Sequence, residues 1–382
     1  MLFKYIKVKT KGQIEGEKLL VPKLRFKEFN SEYKKYKIGD TLKVKSGKDQ
    51  KSIECINGTY PILGTGGQIG TTNSFLYDKP SVLIGRKGTI NKPQYMTTPF
   101  WTVDTLFYTD IKEEFNTKYI FYAFQNINWK KYDESTGVPS LSCKTIEEIL
   151  YYIPNKDEQD KISTFITLLD KKIELQNQKI EALKIYKRGL IQRIYNRTWN
   201  NKIKMEEILI QKSIRNTNDE IHNVYSVSNK DGFILQTEQF KDRIVASEDT
   251  RNYKVVAKND FAYNPARINV GSIARMKQDI KGIISPMYIC FKCNEKILPE
   301  YLEYFFESSK FTYEMSKRLE GSVRMCLSYE SMLNIPIDLP NKNEQEKIST
   351  FLNSLSNKIK LEEKKFMELN KLKKGLLQKM FI

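Results

Sequence analysis

The chain has 382 residues, enough for two or three domains with separate cores. Its 40% hydrophobic, 12% aromatic and 29% charged residues are those of a folded soluble protein and exclude a disordered or low-complexity chain. With 64 Lys and Arg against 46 Asp and Glu, the formal charge of +18 favours a polyanionic partner, nucleic acid or an anionic membrane surface; the bland alternative is a lysine-rich, AT-biased genome.

Residues 1–21 carry no assignable element, and no secretory pattern opens the chain. No apolar run approaches the roughly 20 residues needed to cross a bilayer. The five cysteines are an odd number in a chain too large to need disulfides, so reduced thiols in the cytoplasm are expected.

A first block, residues 22–153, reads as short strands and turns. Tyr60–Gly64 runs into a glycine turn, Gly66-Gly67-Gln68, and the apolar run Val82–Gly85 meets a basic loop, Arg86-Lys87-Gly88. A short aromatic helix over Tyr119–Phe124 and a turn at Gly137–Ser140 complete the block.

From Pro154 to Ile194 the positions Ile166, Leu169, Ile173, Gln176, Ile180, Leu183, Lys187, Leu190 and Ile194, apolar except at 176 and 187, recur at alternating spacings of three and four, predicting a long helix over 154–197. Asn155 is its expected cap, with Glu158 completing a capping box.

A second block, residues 198–339, follows the same plan with different residues. A Tyr225-led strand reaches a turn at Asn229, and Phe261–Tyr263 precedes the loop Asn264–Gly271, which holds Arg267 and Asn269. An aromatic helix spans Tyr301–Phe306, and a turn over Gly321–Arg324 follows. Alternating β-rich runs with a few short helices indicate mixed α+β blocks.

Residues 340–382 then repeat the helix. Pro340–Met380 aligns with Pro154–Ile194 without a gap at a shift of 186, with roughly half the positions identical. Its seam is Leu352, Leu355, Ile359, Phe366, Leu369 and Leu376, and polar seam positions match as well, Lys187 with Lys373 and Gln176 with Glu362. A repeat this long marks two copies of one structural unit.

Each helix would be about 60 Å long. Parallel pairing would force the second block, with a radius of gyration near 14 Å, to span that length. Antiparallel pairing needs no such connection, so the expected architecture is α+β: two mixed α/β domains joined by two long helices in an antiparallel coiled coil with pseudo-two-fold symmetry. Gly189 and Gly375, inside the basic final turns, mark either close approach of another helix or a break in the helix.

Catalytic motifs are absent. Gly64–Gly70 lacks the GxGxxG spacing and reads as a hairpin turn, and there is no GxxxxGK[ST] loop. Asn264-Pro-Ala-Arg267 only echoes the NPP-aromatic motif of adenine methyltransferases, lacking its second proline and its aromatic. Cys290 and Cys293 form a CxxC within a strand-like run, where alternation sends them to opposite faces. With His222 the single histidine, no metal site is expected.

Two variable blocks, each followed by a near-identical long helix opening PxxxEQxxI at 154–163 and 340–349, resemble the specificity subunits of type I restriction-modification systems, as does YNPARINVGSIA at 263–274. The resemblance covers the chain apart from its first 20 residues. It implies that each block is a target-recognition domain reading one half of a bipartite double-stranded DNA site. The helices would form the spacer and dock two modification subunits. Those partners would carry S-adenosylmethionine and methylate adenine, and restriction and translocase subunits would be optional additions. No cofactor is implied for this chain, which would be non-catalytic.

In such a reader affinity comes mostly from lysines against phosphates, and sequence choice from a few side chains in the major groove. The candidates are Gln68, Arg86, Lys87 and Ser140 in the first block and Asn229, Asn264, Arg267, Asn269 and Arg324 in the second. Arg or Lys can pair with guanine, and Asn or Gln with adenine. Gly66, Gly67, Gly88 and Gly271 would let the backbone approach DNA. The bland reading of each loop is a solvated turn. Half-sites lie about 34 Å apart per helical turn of DNA, within reach of a 60 Å helix pair. Two rival readings are an autonomous methyltransferase or nuclease with fused recognition domains, and a coiled-coil scaffold with no DNA role.

Overall fold

The structure, a computed structural model, describes residues 3–5 (backbone only), 21–199, 201–229, 231–239, 249–321 and 325–382. The chain forms two compact units, residues 1–177 with 364–382, and residues 178–363. Both long helices, Lys156–Tyr195 and Lys342–Met380, are therefore shared, each giving one half to either unit.

In the first unit a four-stranded antiparallel sheet has the order Leu42–Lys45, Leu106–Ile111, Ser81–Gly85, Gln94–Met96. Ser81–Gly85 is buried along its whole length, as an apolar run between two layers must be. A second sheet joins the hairpin Tyr60–Gly64 and Gly67–Thr72 to Trp101–Thr102. The glycine-rich run Gly64–Gly70 is thus a β-hairpin, as its spacing predicts. The helix Thr117–Asn126 buries Tyr119, Ile120, Tyr122 and Phe124 in the main core, which also takes in Ile162, Ile166 and Leu169 from the first long helix, Leu376 and Met380 from the second, and Phe381 just after it.

The second unit repeats the plan. Its sheet runs Leu209–Lys212, Ile289–Cys293, Phe261–Tyr263, Ile273–Arg275, with the chain visiting the four positions in the same sequence as in the first unit. Another four-stranded sheet holds Val224–Ser228 between Gly232–Leu235 and Gly282–Ile284. Cys290 belongs to the core beside Tyr225 and Val256, whereas Cys293 packs against the core of Phe261 and Phe305, so the strand puts the two thiols on opposite faces. Burial pushes both thiols up to about 12.

Within each unit the long-helix halves run antiparallel. In the first, Lys373 Nζ lies 2.7 Å from Asp170 Oδ1, near the end of one helix and the start of the other. In the second, Lys179 pairs with Glu362 and Lys184 with Glu363, both at 2.9 Å. Of the seam residues, Ile166, Leu169, Ile180, Leu352, Leu355, Ile359 and Leu376 are buried, and Ile173, Leu183, Leu190, Phe366 and Leu369 are partly buried.

Both helices start on an asparagine cap: Asn155 Oδ1 accepts from Glu158 N–H at 3.1 Å, and Asn341 Oδ1 from Glu344 N–H at 2.9 Å. The expected capping box is redirected in the first copy, where the Glu158 carboxylate binds Arg25. Neither helix breaks at its glycine, and nothing in the described chain lies within 4 Å of a Cβ built on Gly189 or Gly375.

Candidate nucleic-acid interface

In the first unit the loops predicted from sequence come together. Leu141 N–H donates to Arg86 O at 2.9 Å, Gly88 N–H donates to Pro139 O at 2.8 Å, and Lys87 and Ser140 face each other as an antiparallel bridge. Arg86 and Lys87 are exposed. The Arg86 guanidinium donates to Asp104 O at 3.2 Å, which steadies the head without neutralising it. Gly88 has φ +90°, and a Cβ there would sit 3.9 Å from Thr65 Oγ1, so the tip of the Gly66-Gly67-Gln68 hairpin borders this loop. Gly67, at φ +116°, supplies the left-handed turn, and Gln68 is exposed with its amide donating to Gly70 O at 3.3 Å. Arg86, Lys87, Ser46, Glu134 and Ser140 line an open cavity of about 470 Å³ floored by Phe107. Hydrogen bonds from Thr145 and Ser142 hold the Glu134 carboxyl below its ordinary range, so it remains an anion at neutral pH.

The second unit builds the same frame from other residues. Leu327 N–H donates to Pro265 O at 3.1 Å, the equivalent of the Leu141–Arg86 bond. A single helical turn over Ile268–Val270 ends on Gly271, at φ +89°, and a Cβ there would lie 3.4 Å from Asn229 Cβ. Asn229, Arg267, Asn269 and Gly271 are exposed on these neighbouring loops. Asn264 differs: it is buried, and its Oδ1 accepts from Ala266 N–H at 3.1 Å, so its amide shapes the turn before Pro265. Arg324 lies outside the described residues.

Sequence reasoning missed the residues that lock each block to its helix. Tyr122 Oη donates to Asp170 Oδ2 at 2.8 Å and lies 3.1 Å from Thr167 Oγ1; Tyr304 Oη donates to Asn353 Oδ1 at 2.7 Å and lies 3.2 Å from Ser356 Oγ. Lys373 sits 5.7 Å from the Tyr122 ring and Lys187 sits 4.9 Å from the Tyr304 ring. The glutamine of each EQ pair acts alike. Gln159 accepts from Asn116 N–H and donates to Pro154 O; Gln345 accepts from Leu298 N–H and donates to Pro340 O.

The glutamates diverge. Glu158, fully buried, takes Arg25 Nε at 2.7 Å and a second guanidinium nitrogen at 2.5 Å, with Tyr33 Oη at 3.3 Å. Burial and the Glu158 anion raise the Tyr33 hydroxyl far above its ordinary value. Glu344 is half-exposed and pairs only with Lys347, at 3.0 Å, among the described contacts of its carboxylate. Arg25 sits in a stretch without periodicity; its one sequence signal is the alternation Leu24-Arg25-Phe26.

Two mixed α/β units, each holding antiparallel halves of the long helices and each presenting neighbouring loops with basic or amide side chains, form a duplicated module. Comparison gives the family. The model of the type I restriction modification DNA specificity domain matches residues 30–184 and again 202–371. The chain is 24% identical over 295 residues to the specificity subunit of type I restriction enzyme MjaVIII of Methanocaldococcus jannaschii, covering 68% of either chain. Its fold is similar to that of the S subunit of a type I restriction-modification system from M. genitalium, with a TM-score of 0.62 at 16% identity over 95% of this chain and 99% of that one. A chain solved in a study of complex assembly and conformational transition of the type I R-M system gives 0.55 at 10% identity over 91% and 97%. The chain belongs to the type I restriction-modification DNA specificity family and is a specificity subunit, as the repeated PxxxEQ helices predict. Among its described residues no helix is long and apolar enough to cross a membrane.

Proposed function

We propose that each unit reads one half of a bipartite DNA site, and that the shared helices fix the gap and recruit two identical modification subunits. Those partners would carry S-adenosylmethionine and the adenine-N6 chemistry; a restriction subunit would join the same assembly, and this chain would supply sequence choice without catalysis. The carrying observation is the duplicated loop frame. The same main-chain bond, Leu141 to Arg86 and Leu327 to Pro265, holds two loops side by side in each unit, while the side chains on them differ. Equal frames with unequal side chains suit unequal half-sites.

Partner recruitment rests on the helix surface. Leu175 and its repeat Leu361 are 55% and 61% exposed, and Tyr186 and its repeat Leu372 are 55% and 52% exposed. Apolar side chains exposed twice at equivalent positions fit two copies of one partner. The open space over Gly189 and Gly375 is available to the same partner.

Co-expression with the genomically neighbouring methyltransferase, followed by single-molecule sequencing for N6-methyladenine, tests the reading. A split motif of fixed gap that disappears without this chain is expected. An assembled, active complex that methylates without a split motif would overturn it.

A further inference from the structure

In the first unit the loop tip at residues 135–138 takes no part in the interface contacts described above. Between Asp133 and Leu141 the chain makes a closed loop. Glu134 N–H donates to Ser140 O at 3.0 Å, and Asp133 Oδ1 accepts from the N–H groups of Ser135 and Ser140 at 3.0 and 2.9 Å. The Glu134 carboxylate then straps the loop base to the hydroxyls of Ser142 and Thr145, at the start of the helix Cys143–Glu148. The strap recurs at a shift of 186: Glu320 N–H donates to Cys326 O at 2.9 Å, and Ser331 Oγ donates to Glu320 Oε1 at 3.0 Å. A strap kept in both copies fixes the base of a loop whose tip differs between them.

The tip, Ser135–Pro139, carries no charged or amide side chain. It exposes an apolar side chain: Val138 is 57% exposed, next to Pro139, whose carbonyl is bound by Gly88 of the basic loop. Arg86 and Lys87 alongside can hold phosphates, and an apolar side chain beside them has one direct way to read a base, contact with the C5-methyl of thymine in the major groove.

Resting on the proposed function, we infer that Val138 is a specificity-determining residue of the first half-site that contacts a thymine methyl, and that Glu134 is its positioning residue. Uracil lacks that methyl and pairs like thymine, so it isolates the contact.

The test uses the chain assembled with its methyltransferase on duplexes carrying the split motif, with each thymine of the first half-site replaced in turn by uracil. Wild-type methylation should fall several-fold at one thymine, and Val138→Ala should erase the difference between thymine and uracil there. Glu134→Ala should relax preference at that base pair alone, and Glu134→Gln, whose amide oxygen still accepts from Thr145, should restore it. A merely structural strap would lower methylation at all sites without changing base preference. A wild-type complex that gives the split motif but is insensitive to uracil throughout the first half-site overturns this inference and leaves the proposed function standing. A wild-type complex with no split motif overturns both.

Discussion

The two copies of PxxxEQ place the same glutamate in opposite environments. Glu158 is fully buried and Arg25 is 2% exposed; the guanidinium binds it through two nitrogens. Glu158→Ala would leave a buried, unpaired guanidinium, and breaking such a pair costs about 3–5 kcal/mol. Glu344 is 37% exposed and its partner Lys347 is 64% exposed, so Glu344→Ala removes an exposed helix pair worth about 0.3–0.5 kcal/mol. At about 1.4 kcal/mol per decade, the two substitutions should differ by roughly two to three decades in local opening. Two units need not melt as one transition, so a single midpoint would blur the result. Native-state hydrogen exchange read on peptides from 22–35 and 154–170 for the first copy, and 338–356 for the second, resolves them. The double variant Arg25→Met with Glu158→Leu should recover much of the loss, because neither charge remains buried. Equal costs for the two alanines, or a double variant whose loss is the sum of its singles, would refute the argument.

Arg86→Ala with Lys87→Ala should weaken DNA binding by the assembled complex and flatten the dependence of log K on log salt by up to about 0.9 for each phosphate no longer neutralised; an unchanged slope would remove these residues from the interface. Cys290, buried and with its thiol pushed up to about 12, should hold about one thiolate in ten thousand at pH 8 and resist a thiol reagent until the protein unfolds; rapid native labelling of it would contradict its burial. Asp110 accepts from Lys45 and Tyr77, which lowers its carboxyl below the ordinary range. A depressed folded pKa stabilises the fold above the ordinary value near 4 and loses that contribution as pH falls through the folded one, so the stability gap between wild type and Asp110→Asn should close in acid; a widening gap would reverse the sign.

What could be read from the sequence follows from the length over which a pattern repeats. The helix seam extends over about 40 residues in two copies, so its period survives the interruptions at Gln176, Lys187, Glu362 and Lys373. Those interruptions carry the information that periodicity lacks: Lys187 and Lys373 leave the seam to cover Tyr304 and Tyr122, partners more than 100 residues away. The strands of the blocks are mostly three to six residues long, too short for alternation to announce them, and turns and aromatic runs alone give their order. Asn264 illustrates a local signal misweighted. An Asn before Pro commonly bonds its own turn, and that turn places the side chain inside. Arg25 gave no such signal, because its partner lies 133 residues further along the chain.

The duplicated contacts also show how one scaffold could carry the two readings proposed above. Where a block meets its helix, side chains do the bonding, and changes there keep the role: Thr167 and Asp170 in the first copy become Asn353 and Ser356 in the second, yet each pair still meets a tyrosine hydroxyl. Where the block faces outward, main-chain groups do the bonding, as in Leu141 to Arg86 and Leu327 to Pro265. A main-chain bond places no demand on side-chain identity, so the loop stays in position when its tip changes. Arg86 can therefore stand where the other copy has Pro265 without disturbing the fold beneath, because the bond that aligns each loop uses its carbonyl. The tips can diverge while the glutamine and tyrosine locks keep both blocks on their matching helices, which is the condition that the proposed pair of half-sites and pair of identical partners would require.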